Sequence, residues 1–256
     1  MQRANAKKSY STTVLMIAVL VVLIALAVVF LGRMNELETV NVVRVGNPGS
    51  EAYLSDEAII RKSGLKLGAS INAIDEMKEL VERNINEMGL ISFVSVERES
   101  KNAARLTVFV RTPAIAASVG SDFAVIDRDG FVMQLTSSLS GMNVLRVDGM
   151  SLNNPEAGKL VVTQPQSQLE EILKIACAVV DNGYSNMISN LSIYDGMYRI
   201  ITESGLMVRF YLGDNIEEML RITGAFVNQG YKDGEVIISN GQVSYNPRKT
   251  EDEEVW

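Results

Sequence analysis

Residues Val14 to Leu31 form an unbroken run of 18 apolar side chains, preceded by Arg3, Lys7 and Lys8 and followed by more than 200 residues of mixed polarity. As an α-helix rising 1.5 Å per residue, such a run is about 27 Å long, close to the thickness of a bilayer's hydrocarbon core. It predicts one membrane crossing. The cations on the short N-terminal side, set against Arg33, Glu36 and Glu38 on the far side, put the N-terminus in the cytoplasm and the remainder outside. A cleaved secretion signal competes with this reading, because Ala25-Leu26-Ala27 has the small-x-small form of a cleavage site. Val28 to Leu31 carry the apolar run beyond that site, which favours an uncleaved anchor.

Charge and composition narrow what the outward portion does. Removing Arg3, Lys7 and Lys8 from the 24 basic residues leaves 21 against 31 acidic ones, a net of about −10 at model-compound states. No basic stripe is available for phosphates, so nucleic acid is excluded as an expected partner. The chain has no histidine, which removes Ser-His-Asp and Cys-His catalysis and most zinc and iron sites. Cys177 is the one cysteine, so no intrachain disulfide forms, and its place in the apolar-periodic stretch Leu169 to Val180 predicts a buried, inert thiol. Carboxylate chemistry survives on paper, with Asp127, Asp129 and Asp148 as an acid/base or metal cluster. Against it, Asp127-Arg128-Asp129-Gly130 lies between the strand-like segments Phe123 to Ile126 and Phe131 to Met133 and reads as a turn. As a calcium loop it fails, because Val132 occupies the position that needs glycine. Neither a cofactor nor a catalytic residue is expected.

After the linker 32–39 the pattern becomes that of an α+β chain. Val40 to Val45 is rich in β-branched residues and runs into Gly46-Asn47-Pro48-Gly49, predicting a strand and then a loop. Ser55 is placed to cap a helix with Asp56 and Glu57 at its positive end, Arg61 and Lys62 at its negative end and Gly64 closing it. Ile74, Met77, Val81, Ile85 and Met88 mark one face of a second helix ended by Gly89. Ile91 to Glu97 and then Leu106, Val108 and Val110 predict two further strands around the polar stretch 98–103. Pro113 cannot donate to a ladder and marks the boundary of this strand-helix-helix-strand-strand module, residues 40–114.

Residues 115–247 predict a mixed β-rich module with two helices. Leu169, Ile172, Leu173, Ala176 and Val180 outline one helix, stopped at Asn182-Gly183. Ser192 to Tyr194 and Met197 to Ile201 flank Asp195-Gly196 as a hairpin, and Leu206 to Leu212 adds a strand. Ile216, Met219, Leu220, Thr223 and Val227 form the second helix, closed by Gln229-Gly230. Glu235 to Ser239 and Gln242 to Asn246 flank Asn240-Gly241, a strong hairpin signal. A last strand with no following partner exposes backbone donors and acceptors to which another chain adds a strand. The competing reading keeps the hairpin as an internal pair with Tyr245 packed on its own core. The triplet Asn190-Leu191-Ser192 matches a glycosylation acceptor, a pattern frequent by chance. Residues 248–256 are acidic and expected to be a disordered tail, as residues 1–13 are expected to be a cytoplasmic one.

The first module resembles the POTRA domain of protein-assembly and cell-division proteins. Val43-x-Val45-x-Asn47 resembles its opening strand and exit, Gly68 with Ile71 and Ile74-Asp75 the entry to its second helix, and Val94 to Arg98 its second strand. Val108-x-Val110-Arg111-x-Pro113-x-Ile115-Ala116, followed by Ile126-Asp127-x-Asp129-Gly130-x-Val132, is similar to the junction of the FtsQ/DivIB cell-division family. An acidic residue usually precedes the arginine there, where this chain has Val110. The resemblance implies a non-enzymatic single-pass scaffold at the division septum. In that family the C-terminal strands dock the small bitopic partner FtsB/DivIC, itself coiled with FtsL, and through them influence septal peptidoglycan synthesis. Carried onto this sequence, the docking positions are Ile237, Ile238, Gln242, Val243, Ser244 and Tyr245, with Tyr245 as the aromatic anchor. The alternatives are a POTRA-bearing transport or assembly factor, for which no β-barrel strand pattern follows, and a membrane-anchored carboxylate hydrolase.

Overall fold

The computed structural model describes residues 14–27, 35–46, 54–194, 196–211, 215–239 and 241–247. Outside them lie the N-terminal cations, residues 28–34, the Asn47-Pro48-Gly49 loop, Asp195, Leu212, Asn240 and the acidic end. Residues 14–27 form a helix, α1, whose apolar side chains are exposed. No helix among the described residues is long and apolar enough to cross a membrane. The last four positions of the expected crossing, residues 28–31, are among those not described.

Inter-residue contacts divide the chain into two compact units. The first follows the expected order: β1 (Thr39–Gly46), α2 (Asp56–Ser63), a short 3-10 turn at Ile71–Ala73, α3 (Ile74–Asn86), β2 (Ile91–Arg98) and β3 (Ala103–Val110). The strands form a three-stranded sheet in the order β1-β3-β2. The ends of α2 are set as its sequence dictates. Ser55 Oγ accepts from the Ala58 amide at 3.2 Å, and Gly64 closes the helix at φ 86°, a left-handed conformation that costs a glycine little. Arg44 on β1 reaches Asp56 Oδ1 at 2.5 Å and so ties the strand to the start of α2. The apolar stripe of α3 turns Ile74, Val81 and Ile85 inward, onto a core shared with Ile59, Leu106 and Val108. That helix ends at Asn86, short of the expected Met88, and the chain turns through Gly89 at φ 72°.

The second unit is built on a nine-stranded sheet. Its strands are β4 (Pro113–Val119), β5 (Asp122–Asp127), β6 (Val132–Thr136), β7 (Leu145–Asp148), β8 (Ile188–Tyr194), β9 (Met197–Thr202), β10 (Leu206–Tyr211), β11 (Gly234–Ser239) and β12 (Gln242–Pro247). Helix α4 (Gln166–Asp181) joins β7 to β8 and α5 (Ile216–Asn228) joins β10 to β11. The sheet order is β12-β11-β10-β9-β8-β7-β4-β5-β6. Both helix-bearing connections link parallel neighbours, β7 with β8 and β10 with β11. The antiparallel β8–β9 and β9–β10 pairs return β10 to the direction of β8. The two crossovers therefore step the same way through the sheet. With the right hand such connections adopt, both helices land on one face.

The core confirms that placement. Leu169, Ile172, Ile175, Ala176 and Val179 of α4 and Met219 and Leu220 of α5 share a cluster with Leu191, Ile200, Val208 and Phe210 of the sheet. The steps of three and four from Leu169 reach Val179, not the expected Val180, which is 37 % exposed. Strand β8 begins four residues before the expected Ser192, and β7, absent from the periodicity reading, pairs with β4 and β8.

The Asp127–Gly130 turn is also where a buried ion pair forms. Asp127 and Arg111, with side chains 3 % and 6 % exposed, are bonded to each other. The Arg111 guanidinium lies 4.1 Å from the centre of the Phe131 ring, and Asp127 Oδ1 accepts from the amides of Asp129 and Phe131 at 3.0 and 2.7 Å. One carboxylate thus folds the turn and neutralises a buried cation. Asp127→Leu leaves Arg111 uncompensated and is expected to cost roughly 3–5 kcal/mol in urea unfolding, most of it recovered when Arg111→Met is added. An equal loss in the double variant would show that the turn bonds, and not the charge, set the cost.

Candidate partner-docking edge

The sheet ends at β12, and the chain's own sequence explains how that edge is held. Helix α5 starts where Asn215 Oδ1 accepts from the Glu218 amide, at 3.2 Å, and carries the chain across to β11. Strand β11 then turns back through two residues into β12 with Ser239 opposite Gln242, Ile238 opposite Val243, Ile237 opposite Ser244 and Val236 opposite Tyr245. Gly241 sits at φ 75° in the turn.

This register assigns each backbone group a direction. In a hairpin closed by two residues, the pair flanking the loop exchanges both hydrogen bonds, and bonded and non-bonded pairs then alternate. Gln242, Ser244 and Asn246 point their amides at β11. Val243 and Tyr245 point theirs away, to the open side of the sheet. Pro247, opposite Gly234, falls in the same outward register and has no N–H, so among the described residues Tyr245 is the last outward donor of the edge. A handful of backbone bonds at about 1 kcal/mol net each gives about 5 kcal/mol, a sub-millimolar interaction before any ordering cost. The ladder alone does not hold a partner.

The side chains divide between the two faces of the hairpin. Ile238 is 4 % exposed and belongs to the core. Tyr245, expected to be an anchor for a partner, packs half-buried on the helix-covered face instead. Its ring lies 4.8 Å from Tyr231 and 5.9 Å from Phe226, and its hydroxyl donates to the Asp233 carbonyl at 3.2 Å. A Cβ on Gly234 would stand 2.8 Å from the Tyr245 ring, and the backbone there has φ 137°, so glycine is what lets the ring lie flat on β11. Ile237 is half-buried on the opposite face, and Gln242, Val243 and Ser244 are exposed. The six sequence-predicted positions are therefore brought together on one hairpin, with Ile238 and Tyr245 fixing it from inside. Phe226 and Tyr231, which complete the aromatic cluster, follow from no motif of the sequence beyond their nearness to the Gln229-Gly230 helix stop.

The three carboxylates considered for catalysis are not gathered. Asp127 is committed to Arg111, while Asp148 lies on β7 in a separate polar group. It accepts from Ser118 Oγ at 2.5 Å and from Asn190 Nδ2 at 2.6 Å, and Arg146 stands 3.3 Å away. Asn190 is thus engaged within the sheet, its amide oxygen buried, which is no position for a glycan. No group of three or more metal-ligating side chains occurs among the described residues. Cys177 is half-buried on α4, and burial pushes its thiol up from the ordinary range.

Burial works to raise the Asp148 carboxyl, but the Ser118 hydroxyl, the Asn190 amide and Arg146 outweigh it and hold the group below its ordinary value. A depressed carboxyl stabilises the fold above its unfolded-state pKa, near 4, and loses that contribution as pH falls through the folded value. Thermal unfolding from pH 5 downward is expected to show a shallower loss of stability in Asp148→Asn than in the parent chain. Amide exchange checks the edge itself. Val243 and Tyr245 are expected to exchange roughly ten-fold or more faster than Ser244 and Asn246, and equal rates would overturn the assigned register.

No family model matches the chain. It is 28 % identical over 118 residues to the cell division protein DivIB of Clostridium acetobutylicum, a stretch covering 46 % of this chain and 46 % of that protein. The similarity thus spans about half the length of the relative. The chain is thus similar to a DivIB cell division protein over about half its length, in keeping with the junction motif around Pro113 and the strand-helix-helix-strand-strand order that precedes it.

Proposed function

We propose that this chain is a non-enzymatic scaffold of bacterial cell division, anchored by one crossing at residues 14–31 with its N-terminus in the cytoplasm and both units outside. The first unit acts as a POTRA module beside the membrane. The second offers β12 to a strand from a small bitopic partner of the FtsB/DivIC type, coiled with FtsL, and so bears on septal peptidoglycan synthesis. The observation that carries this reading is the open edge of β12, where Val243 and Tyr245 direct backbone donors and acceptors outward in a relative of DivIB. Strand addition satisfies such groups and is a common route to a folded heterodimer.

Val243→Pro removes one outward N–H and leaves every bond to β11 in place. The variant is expected to keep the circular dichroism spectrum of the parent and to bind the extracytoplasmic part of the partner at least ten-fold more weakly. Unchanged affinity in a folded variant contradicts docking at this edge. In growing cells a chain tagged at its N-terminus is expected to gather at the division site, and an even distribution around the envelope at native expression contradicts the division role.

A further inference from the structure

The first unit opens with a short clip that ties one of its turns to the end of the apolar run. The Ile71 amide donates to the Asn35 carbonyl, Leu37 to Ala69 and Gly68 to Leu37, each at 2.8 Å, with Glu36 opposite Ser70 in antiparallel register. Leu37 and Ile71 are buried and fix the clip to the unit. Asn35 comes four positions after Leu31, the last residue of the run, and a fully extended chain covers at most about 14 Å over four residues. The clip therefore stays within reach of the headgroup layer of any bilayer that holds the run. Gly68 belongs to the turn Lys66–Ala69, which closes where the Ala69 amide donates to the Lys66 carbonyl at 3.1 Å. It stands third in that turn at φ 85°, the left-handed conformation a type II turn needs there. Turn positions are ordinarily filled by Gly, Pro, Asn, Asp or Ser. Here the second position is Leu67, 62 % exposed, the most exposed large apolar side chain among the described residues of the first unit outside α1. Lys66 beside it is exposed as well.

We propose that Leu67 is a membrane-surface contact. Its side chain enters the boundary between headgroups and acyl chains of the bilayer that holds residues 14–31, and the Lys66 ammonium stays among the headgroup phosphates. This inference rests on the anchor proposed above and adds a second, non-covalent foothold beside it, which limits how far the first unit swings on its linker. A leucine left at an exposed tip keeps apolar area in water, and the interface removes that area while a lysine stem covers more of it and leaves its charge wet. Glu36 in the same clip offsets the charge of Lys66, so the apolar side chain and not lipid charge carries the contact. One leucine is far too little to bring a free protein to a membrane. On a chain already tethered so closely the contact is intramolecular, and the high effective concentration lets a weak contact form.

Tryptophan quenching in the full chain tests this, with Trp256→Phe as background, in vesicles of phosphatidylglycerol and phosphatidylcholine whose acyl chains are brominated near the headgroup. One tryptophan is introduced at a time: Leu67→Trp at the turn, Val45→Trp near the far end of β1, and Ile24→Trp within the apolar run. The expected result is strong quenching at 24, and quenching at 67 at least two-fold stronger than at 45. Quenching at 24 with none at 67 overturns the contact and leaves the anchor standing. Equal quenching at 67 and 45 overturns it too, since the unit then meets the bilayer with no preference for the turn. No quenching at 24 removes the anchor reading, and the contact with it. Trypsin cleavage after Lys66 examines the native side chain. Leu67→Ser is expected to speed that cleavage at least five-fold in vesicles and to leave it unchanged in detergent, and parent-like cleavage in vesicles overturns the contact.

Discussion

The handedness of two crossovers decides most of what the second unit presents to its surroundings. A strand twisted to the right, followed by a helix and a parallel strand, packs back onto the sheet in only one sense. Because β7-α4-β8 and β10-α5-β11 step in the same direction, they cover the same face, and the apolar stripes of both helices meet a single cluster around Ile172, Leu191, Ile200 and Phe210. The opposite face is left to Ser118, Asp148, Asn190 and Arg199. After β11 the chain reverses in a tight hairpin, and among the described residues β12 is the edge of the sheet.

That edge is shaped by ordinary constraints on strands. An unpaired strand invites unwanted pairing, and chains limit the risk by shortening or interrupting it. Here Pro247 does so, since it falls where a further outward amide would stand. Behind the edge, the Phe226–Tyr231–Tyr245 cluster and the glycine at 234 hold the hairpin on α5, so that the outward groups of Val243 and Tyr245 keep one orientation. A short edge held in one orientation spares an added strand some of the entropy of ordering, but supplies little energy of its own.

Local signals in the sequence foretold the elements well. The capping residues around α2, the turn at Asp127–Gly130 and the paired strands about residues 240 and 241 all lie where propensity and turn chemistry place them, because each depends on near neighbours alone. What escaped depends on distant partners. Strand β7 is only four residues long and owes its conformation to β4 and β8 on either side. The buried Arg111–Asp127 pair joins residues on either side of β4, and no periodicity announces it. Tyr245 illustrates the limit most directly. An aromatic residue on a last strand reads as an anchor for another chain, yet which face it takes is set by a register of one residue against β11, and that register turns it inward. The apolar run at residues 14–31 remains the strongest statement the sequence makes about where this chain resides.

The most direct test of the account is amide exchange across β12 in the complex with the bitopic partner. Strand addition predicts that the Val243 and Tyr245 amides become protected on binding, while those of Gln242, Ser244 and Asn246, already bonded to β11, change little. Protection spread evenly along the strand, or none at Val243 and Tyr245 in a complex that still forms, would contradict docking at this edge.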